Sequence, residues 1–294
     1  MAGSHPRQSL DALFAQLDYE RGQGVIIVEG DLDRSCVAFM VREGGWRNSA
    51  VFQASDFEVP PVLFDGDDSP GERERLLRIA LECEKELGSN LPNLAVLVDL
   101  DRDAFRSTPR SYGPYGFATD HSCFEGYLAT PDTIERAVSL FLGAGDVDSQ
   151  QLLDTALSIA HEVYLVRSAQ HRLKLKCRVE SCGSDVDPAS LSFDRDSFVR
   201  RLLLAGGKLH MVADLEAEVE RLRSSTFLSP VEPFNGHDLL DVLCLMLRPR
   251  IPPGARTMLS VRSLGRVLSS NTDWASVAAM PSIDSLLSRV SSLG

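Results

Sequence analysis

The chain has 294 residues, of which 44% are hydrophobic and 24% charged, and its formal net charge is -12. That is room for one large domain or two smaller ones. The negative charge argues against a broad, sequence-independent nucleic-acid binder, whose phosphate affinity would come from an excess of Lys and Arg. No apolar run has the length of a membrane-spanning helix, so no membrane association is expected. No apolar signal segment opens the chain, and the first residues, "MAGSH", read as a tag remnant. Six scattered cysteines lack His or Cys partners at zinc spacing. They read as buried thiols in a reducing compartment, which makes the cytoplasm the expected location.

Leu10, Leu13, Phe14 and Leu17 recur at helical spacing and predict a short helix over 8–19. "GVIIVE" reads as a buried strand over 24–29, followed by a helix from Asp33 to Glu43 and a short strand from Ser49 to Ala54. Ser69 as N-cap, Pro70 at the first helical position and Glu72 three after the cap predict the next helix. Asp65, Asp67 and Asp68 before it fit no calcium loop and suit the positive end of the helix dipole. "NLAVLVDLDRDAF" is a second buried strand with an acidic end. A short strand, a helix around Cys123 to Leu128 and another from Pro131 follow. This alternation predicts an α/β fold with a mostly parallel sheet flanked by helices.

Beyond residue 130 the pattern is helical. One long stretch runs over 148–176, with Leu152, Ala156, Ile159, Val163 and Val166 on one face. Shorter helices are expected at "RDSFVRRLLLAG", "MVADLEAEVERLRS", "NGHDLLDVLCLMLR" with Asn235 as N-cap, "VRSLGRVL" and "SIDSLLSRVSSL". The expected division is an α/β metal-binding catalytic domain over 20–130. A helical region over 131–294 follows, serving dimerisation, substrate or partner binding.

Two strands end in carboxylates: Glu29, Asp31 and Asp33 after the first, and Asp99, Asp101 and Asp103 after the second. In an open parallel sheet, ligands bind outside the carboxyl ends of the strands. If the second strand persists, its three acids alternate and point one way. Gathered carboxylates repel, and a divalent cation relieves the repulsion. Mg²⁺ takes hard oxygens, one or two of them from protein carboxylates. The layout suits metal-assisted phosphoryl transfer. The competing account is capping: Asp31 or Asp33 caps the following helix, and Asp103 is solvated.

"VEGDLD" followed by "LVDLDRD" resembles the TOPRIM domain of topoisomerases, bacterial primases and OLD-family nucleases. "TDHSCFEGYL" and "NGHDLLDVL" narrow the likeness to a TOPRIM-like family encoded beside AAA or ABC-type ATPases in bacterial anti-phage loci, such as the effector subunit of PARIS systems. It covers residues 20–130, and the helical half only at the Asn-Gly-His-Asp stretch. The resemblance implies a Mg²⁺-dependent endonuclease, with Mn²⁺ as a substitute, that acts on DNA or RNA, including tRNA. It implies Glu29, Asp99 and Asp101 as the catalytic acids, joined at the metal by Asp33 and Glu125, with Glu29 either a ligand or the general acid/base. Its implied partners are the neighbouring ATPase and a second copy of the chain. The extra acid in Asp-Leu-Asp-Arg-Asp leaves open which pair binds metal.

Other motifs are absent. Gly22-x-Gly24 precedes its strand, no Walker A sequence exists, and His161-Glu162 lacks the second His of a zinc-protease helix. His121 neighbours the acids as a surface or supporting residue. Arg167, Arg172, Lys174 and Lys176 form the best phosphate track, against the alternative of a solvated helix face. Two other functions stay in view: a non-catalytic module that binds and regulates the ATPase, and primase-like nucleotidyl transfer.

Overall fold

The computed structural model describes residues 7–44, 48–64, 71–89, 93–105, 111–142, 147–178, 181–188, 190–225, 227 and 232–291. They fall into two compact units: Met1–Leu100 with Arg110–Asp120 and Asp273–Gly294, and Asp101–Pro109 with His121–Thr272. The tag-like start and the expected cap Ser69 with Pro70 lie outside the described residues.

The first unit is built on a four-stranded, all-parallel sheet in the order β3-β2-β5-β6. Its strands are β2 (Gly24–Val28), β3 (Ser49–Gln53), β5 (Leu94–Val98) and β6 (Gly116–Ala118). Every residue of β2 and β5 is buried, the condition of a parallel sheet covered on both faces, and the reason their sequences read as unbroken apolar runs. One face carries Val25, Ile27, Leu94, Val96 and Val98. It packs with Leu13 and Leu17 of α1 (Leu10–Tyr19) and with Leu76 and Ile79 of α3 (Glu72–Leu87). The other elements on these strands are α2 (Asp31–Glu43) and α12 (Pro281–Ser291), with α11 (Trp274–Ala278) between them. A two-residue ladder of β1 (Gln8–Ser9) with β4 (Phe57–Glu58) completes the unit. Helix α3 starts two residues later than Pro70 would set it, with Gly71 as N-cap.

The second unit is helical. Its axis is α5 (Ser149–Arg172), capped by Asp148 and buried along most of its length. Against α5 pack α4 (Pro131–Leu142), α6 (Arg195–Ala205), α7 (Val212–Arg223) and α8 (Gly236–Leu247), and α10 (Val261–Asn271) packs on α4 and α8. The short helix α9 (Pro253–Arg256) and the antiparallel pair β7 (Val186–Asp187) and β8 (Ser192–Phe193) are peripheral. Helix α5 stops at Arg172 instead of running on to Lys176, because the backbone turns left-handed at Lys174, φ +52°. The chain is thus α/β with a mostly parallel sheet flanked by helices, followed by a helical half. No helix among the described residues is long and apolar enough to cross a membrane.

Candidate functional site

In the sheet unit, β2 gives way at Val28 to Glu29 and Gly30. Gly30 is the N-cap of α2, and its amide donates to Asp33 Oδ2 at 3.0 Å. One oxygen of Asp33 is therefore a helix cap, and Asp31 and Asp33 both stand in the first turn, where the dipole favours an anion. Glu29 is half-buried, its Oε2 shielded from solvent. Strand β5 ends at Val98, and Asp99 follows, also half-buried. Arg73 Nε donates to the Asp99 carbonyl at 3.4 Å, and the Leu100 amide donates to Thr119 Oγ1 at 3.0 Å. Strands β2 and β5 are parallel neighbours with Ile27 opposite Val96, so Glu29 and Asp99 leave the sheet at the same carboxyl edge.

The second strand does not persist through its acids. At Asp101 the backbone turns left-handed, φ +43°, into a 3₁₀ turn over Asp101–Phe105. Aspartate is among the few non-glycine residues that tolerate this conformation. In the helical unit the Asp101 amide donates to the Ser122 carbonyl at 2.7 Å, and the Tyr164 hydroxyl donates to the Asp101 carbonyl at 2.5 Å. The alternation of Asp99, Asp101 and Asp103 along one strand is thus corrected. So is the expectation for Asp103, which is only 6% exposed.

Glu125 is buried in the turn Phe124–Tyr127. Its carboxylate lies against Gly236, where an added Cβ would stand 2.0 Å from Oε2. Gly236 is the first residue of α8, so this anion sits at the favourable end of a helix dipole. Ser122 Oγ donates to the Phe234 carbonyl at 2.6 Å and accepts the Phe234 amide at 2.9 Å. Residues 121–128 and 234–236 of the helical unit are therefore one packed feature, with Gly236 leaving room for Glu125. His121 joins it, its ring edge-on to Tyr127 at 4.9 Å. Asn235 Oδ1 accepts the Asp238 amide at 3.3 Å, as an N-cap should. The Asp238 carboxylate pairs with Arg167 at 2.8 Å, yet burial outweighs the arginine and pushes its pKa up to about 6.

Also in the helical unit, a cleft of about 340 Å³ is lined by Asp101, Tyr164, Arg167, His171, Lys174 and Lys176 among others. Arg172 is elsewhere: it pairs with Glu218 at 3.5 Å, and its guanidinium stands over the Phe105 ring at 5.6 Å. Three of the four basic residues expected on a phosphate track thus meet at one cleft. His171 was missed, although it lies four residues after Arg167 on the same helix face. Arg73 was missed because a backbone partner across the fold leaves no spacing signal.

Among the described residues no group of three or more His, Cys, Asp or Glu side chains is placed to hold a metal. Of the acids expected at a metal, Glu29 and Asp99 are the two that directly follow the adjacent strands of this edge. Two hard carboxylates fit Mg²⁺, which keeps waters for its other positions. They do not fit a structural zinc, which takes nitrogen and sulfur. The cysteines are no alternative: all six are free and buried, and burial pushes the thiols of Cys83, Cys182 and Cys244 up to about 12. Neither a protein-family model nor a curated protein matches the chain.

Proposed function

We propose that this chain is a Mg²⁺-dependent TOPRIM-like endonuclease of DNA or RNA, tRNA included. It acts in the cytoplasm as the toxic effector of an anti-phage pair whose other member is an AAA or ABC-type ATPase. The observation that carries the reading is the exit of Glu29 and Asp99 from adjacent parallel strands at one sheet edge. The order V-E-G-x-x-D and V-D-x-D supports the family.

A divalent ion, when bound, polarises the scissile phosphate and activates a water. Glu29 and Asp99 would hold it; the resemblance adds Asp101 as the third catalytic acid and Asp33 and Glu125 as further ligand positions. The Gly30–Asp33 cap and the Arg73 hydrogen bond fix both acid-bearing turns before any ligand arrives. Lys174 and Lys176 meet substrate phosphates at the cleft that Arg167, paired with Asp238, also lines.

The test is the wild-type chain, alone and with the ATPase encoded beside it, against a panel of DNA, RNA and tRNA in Mg²⁺ and in EDTA. Cleavage is expected only with metal. Cleavage in EDTA would overturn the metal chemistry. An ATPase that binds the chain while no substrate is ever cut would instead establish the regulatory module.

A further inference from the structure

Two lysines of the helical unit occupy a backbone conformation that glycine ordinarily fills. Lys174 and Lys176 both have φ +52°. Helix α5 closes with the Leu175 amide donating to the Gln170 carbonyl at 3.0 Å and the Lys174 amide donating to the His171 carbonyl at 3.0 Å. In this closure the left-handed residue is usually glycine. The segment beyond is pinned. Gln170 Nε2 donates to the Cys177 carbonyl at 2.7 Å, and Lys208 Nζ donates to the Leu175 carbonyl. Leu175 and Cys177 are buried, and the alternating Lys174 and Lys176 are exposed on the cleft.

Among the described residues four non-glycines have positive φ, and three of them, Asp101, Lys174 and Lys176, line this one cleft. Disfavoured backbone concentrates where a ligand is clamped. Arg167 is matched by Asp238 and Arg172 by Glu218, which leaves the two lysines as the cations the loop presents.

We infer that this cleft binds a phosphomonoester: the terminal phosphate of a free nucleotide or of a nucleic-acid strand. Two lysines on a pinned loop, with His171 also lining the cleft, match a dianion. An internal phosphodiester carries a single charge, and a strand's backbone calls for a longer row of cations. The volume of about 340 Å³ holds a phosphate with its sugar, near the lower end of small-ligand sites. Among the described residues Asp101 is the one carboxylate in the lining, so cations dominate the cleft. This goes beyond the nuclease reading, since it requires neither metal nor hydrolysis.

The experiment is calorimetric titration of the whole chain in EDTA with AMP, cyclic AMP, and a tetranucleotide with and without a 5′-phosphate. AMP and the phosphorylated tetranucleotide bind saturably, and the two ligands lacking a monoester bind at least about tenfold more weakly. Lys174→Gly with Lys176→Gly weakens AMP by a similar factor while raising the melting temperature, because glycine fits the left-handed backbone. Lys174→Arg with Lys176→Arg keeps the binding. Tighter binding of AMP than of the phosphorylated strand assigns the site to free nucleotide, and the reverse assigns it to a strand end. Equal binding of the two tetranucleotides, no saturable binding of AMP, or unchanged affinity in the glycine pair would overturn the inference.

Discussion

A carboxylate at the end of a buried strand is costly unless something answers its charge. Glu29 and Asp99 meet that condition on neighbouring strands. Glu29→Gln or Asp99→Asn, each near in volume to the original, should lower Mg²⁺-dependent cleavage by about a hundredfold or more, since electrostatic groups at a reacting phosphate act on that scale. Thermal unfolding should show that each variant still folds, so that the loss reads on the chemistry and not on the fold. A variant that cleaves at the wild-type rate would exclude its acid from the site. Asp238 gives a separate prediction. Its folded pKa of about 6 stands above the ordinary 3.8, so the folded protein keeps a proton that the unfolded chain releases. That contribution to stability is full below pH 4 and is lost as pH rises through 6, by roughly 2–3 kcal/mol. Asp238→Asn has no such loss. In urea unfolding at pH 4, 5, 6 and 7, its stability relative to wild type should climb with pH. A difference that does not change with pH would refute the burial account.

Elements are positioned here by residues far away in sequence. Helix α12 begins with Pro281, and its cap comes from Asp120, whose Oδ1 accepts the Ser282 amide at 3.2 Å and the Ser282 hydroxyl at 3.0 Å. Asp120→Ala should cost about 1 kcal/mol, as loss of an N-cap does, read by thermal unfolding. Glu125 and Gly236 form a second such pair. Gly236→Ala should destabilise by about 1–3 kcal/mol through overpacking, and Glu125→Ala in the same chain should recover part of that loss. If the two effects simply add, the contact carries no strain. The buried strands β2 and β5 were legible because parallel strands covered on both faces leave continuous apolar runs. Helices α5 and α8 were legible from their spacing and from the cap Asn235. The place of α12 was not, because an amphipathic pattern shows that a helix needs a face and not which face receives it. The turns at Asp101 and Lys174 were hidden for another reason: both are non-glycine residues where glycine would have announced the conformation.

Over the whole molecule the charge of -12 repels phosphates, so nothing steers a polyanion to the surface at large. Of the four residues expected on a phosphate track, Arg167 and Arg172 are engaged with Asp238 and Glu218, which leaves Lys174 and Lys176 for the proposed nucleic-acid contact. Single-strand affinity should therefore fall with salt at a log–log slope of only about -1 to -2. A slope steeper than -4 would require a basic surface supplied by a partner. The second copy that the resemblance implies belongs to this scale too. Light scattering of catalytically active protein should show mass rising with concentration, and a constant monomer would exclude the dimer.

The sheet unit is discontinuous in the chain. Strand β6 ends at Ala118, and α12, which covers β2, β5 and β6, begins only at Pro281. On the ribosome the four strands emerge first, yet their covering helix must wait for the intervening residues to be made. At roughly 5–20 residues per second that is an interval of about 10 to 30 seconds. The helical unit can complete itself during the wait, but the sheet cannot. A nascent chain halted near Thr272 should give a protease-resistant helical unit and a sheet that is still cut. The edge that carries Glu29 and Asp99 is thus complete only once α12 has been synthesised, so a chain cut short before Pro281 should lack any activity that depends on those two acids.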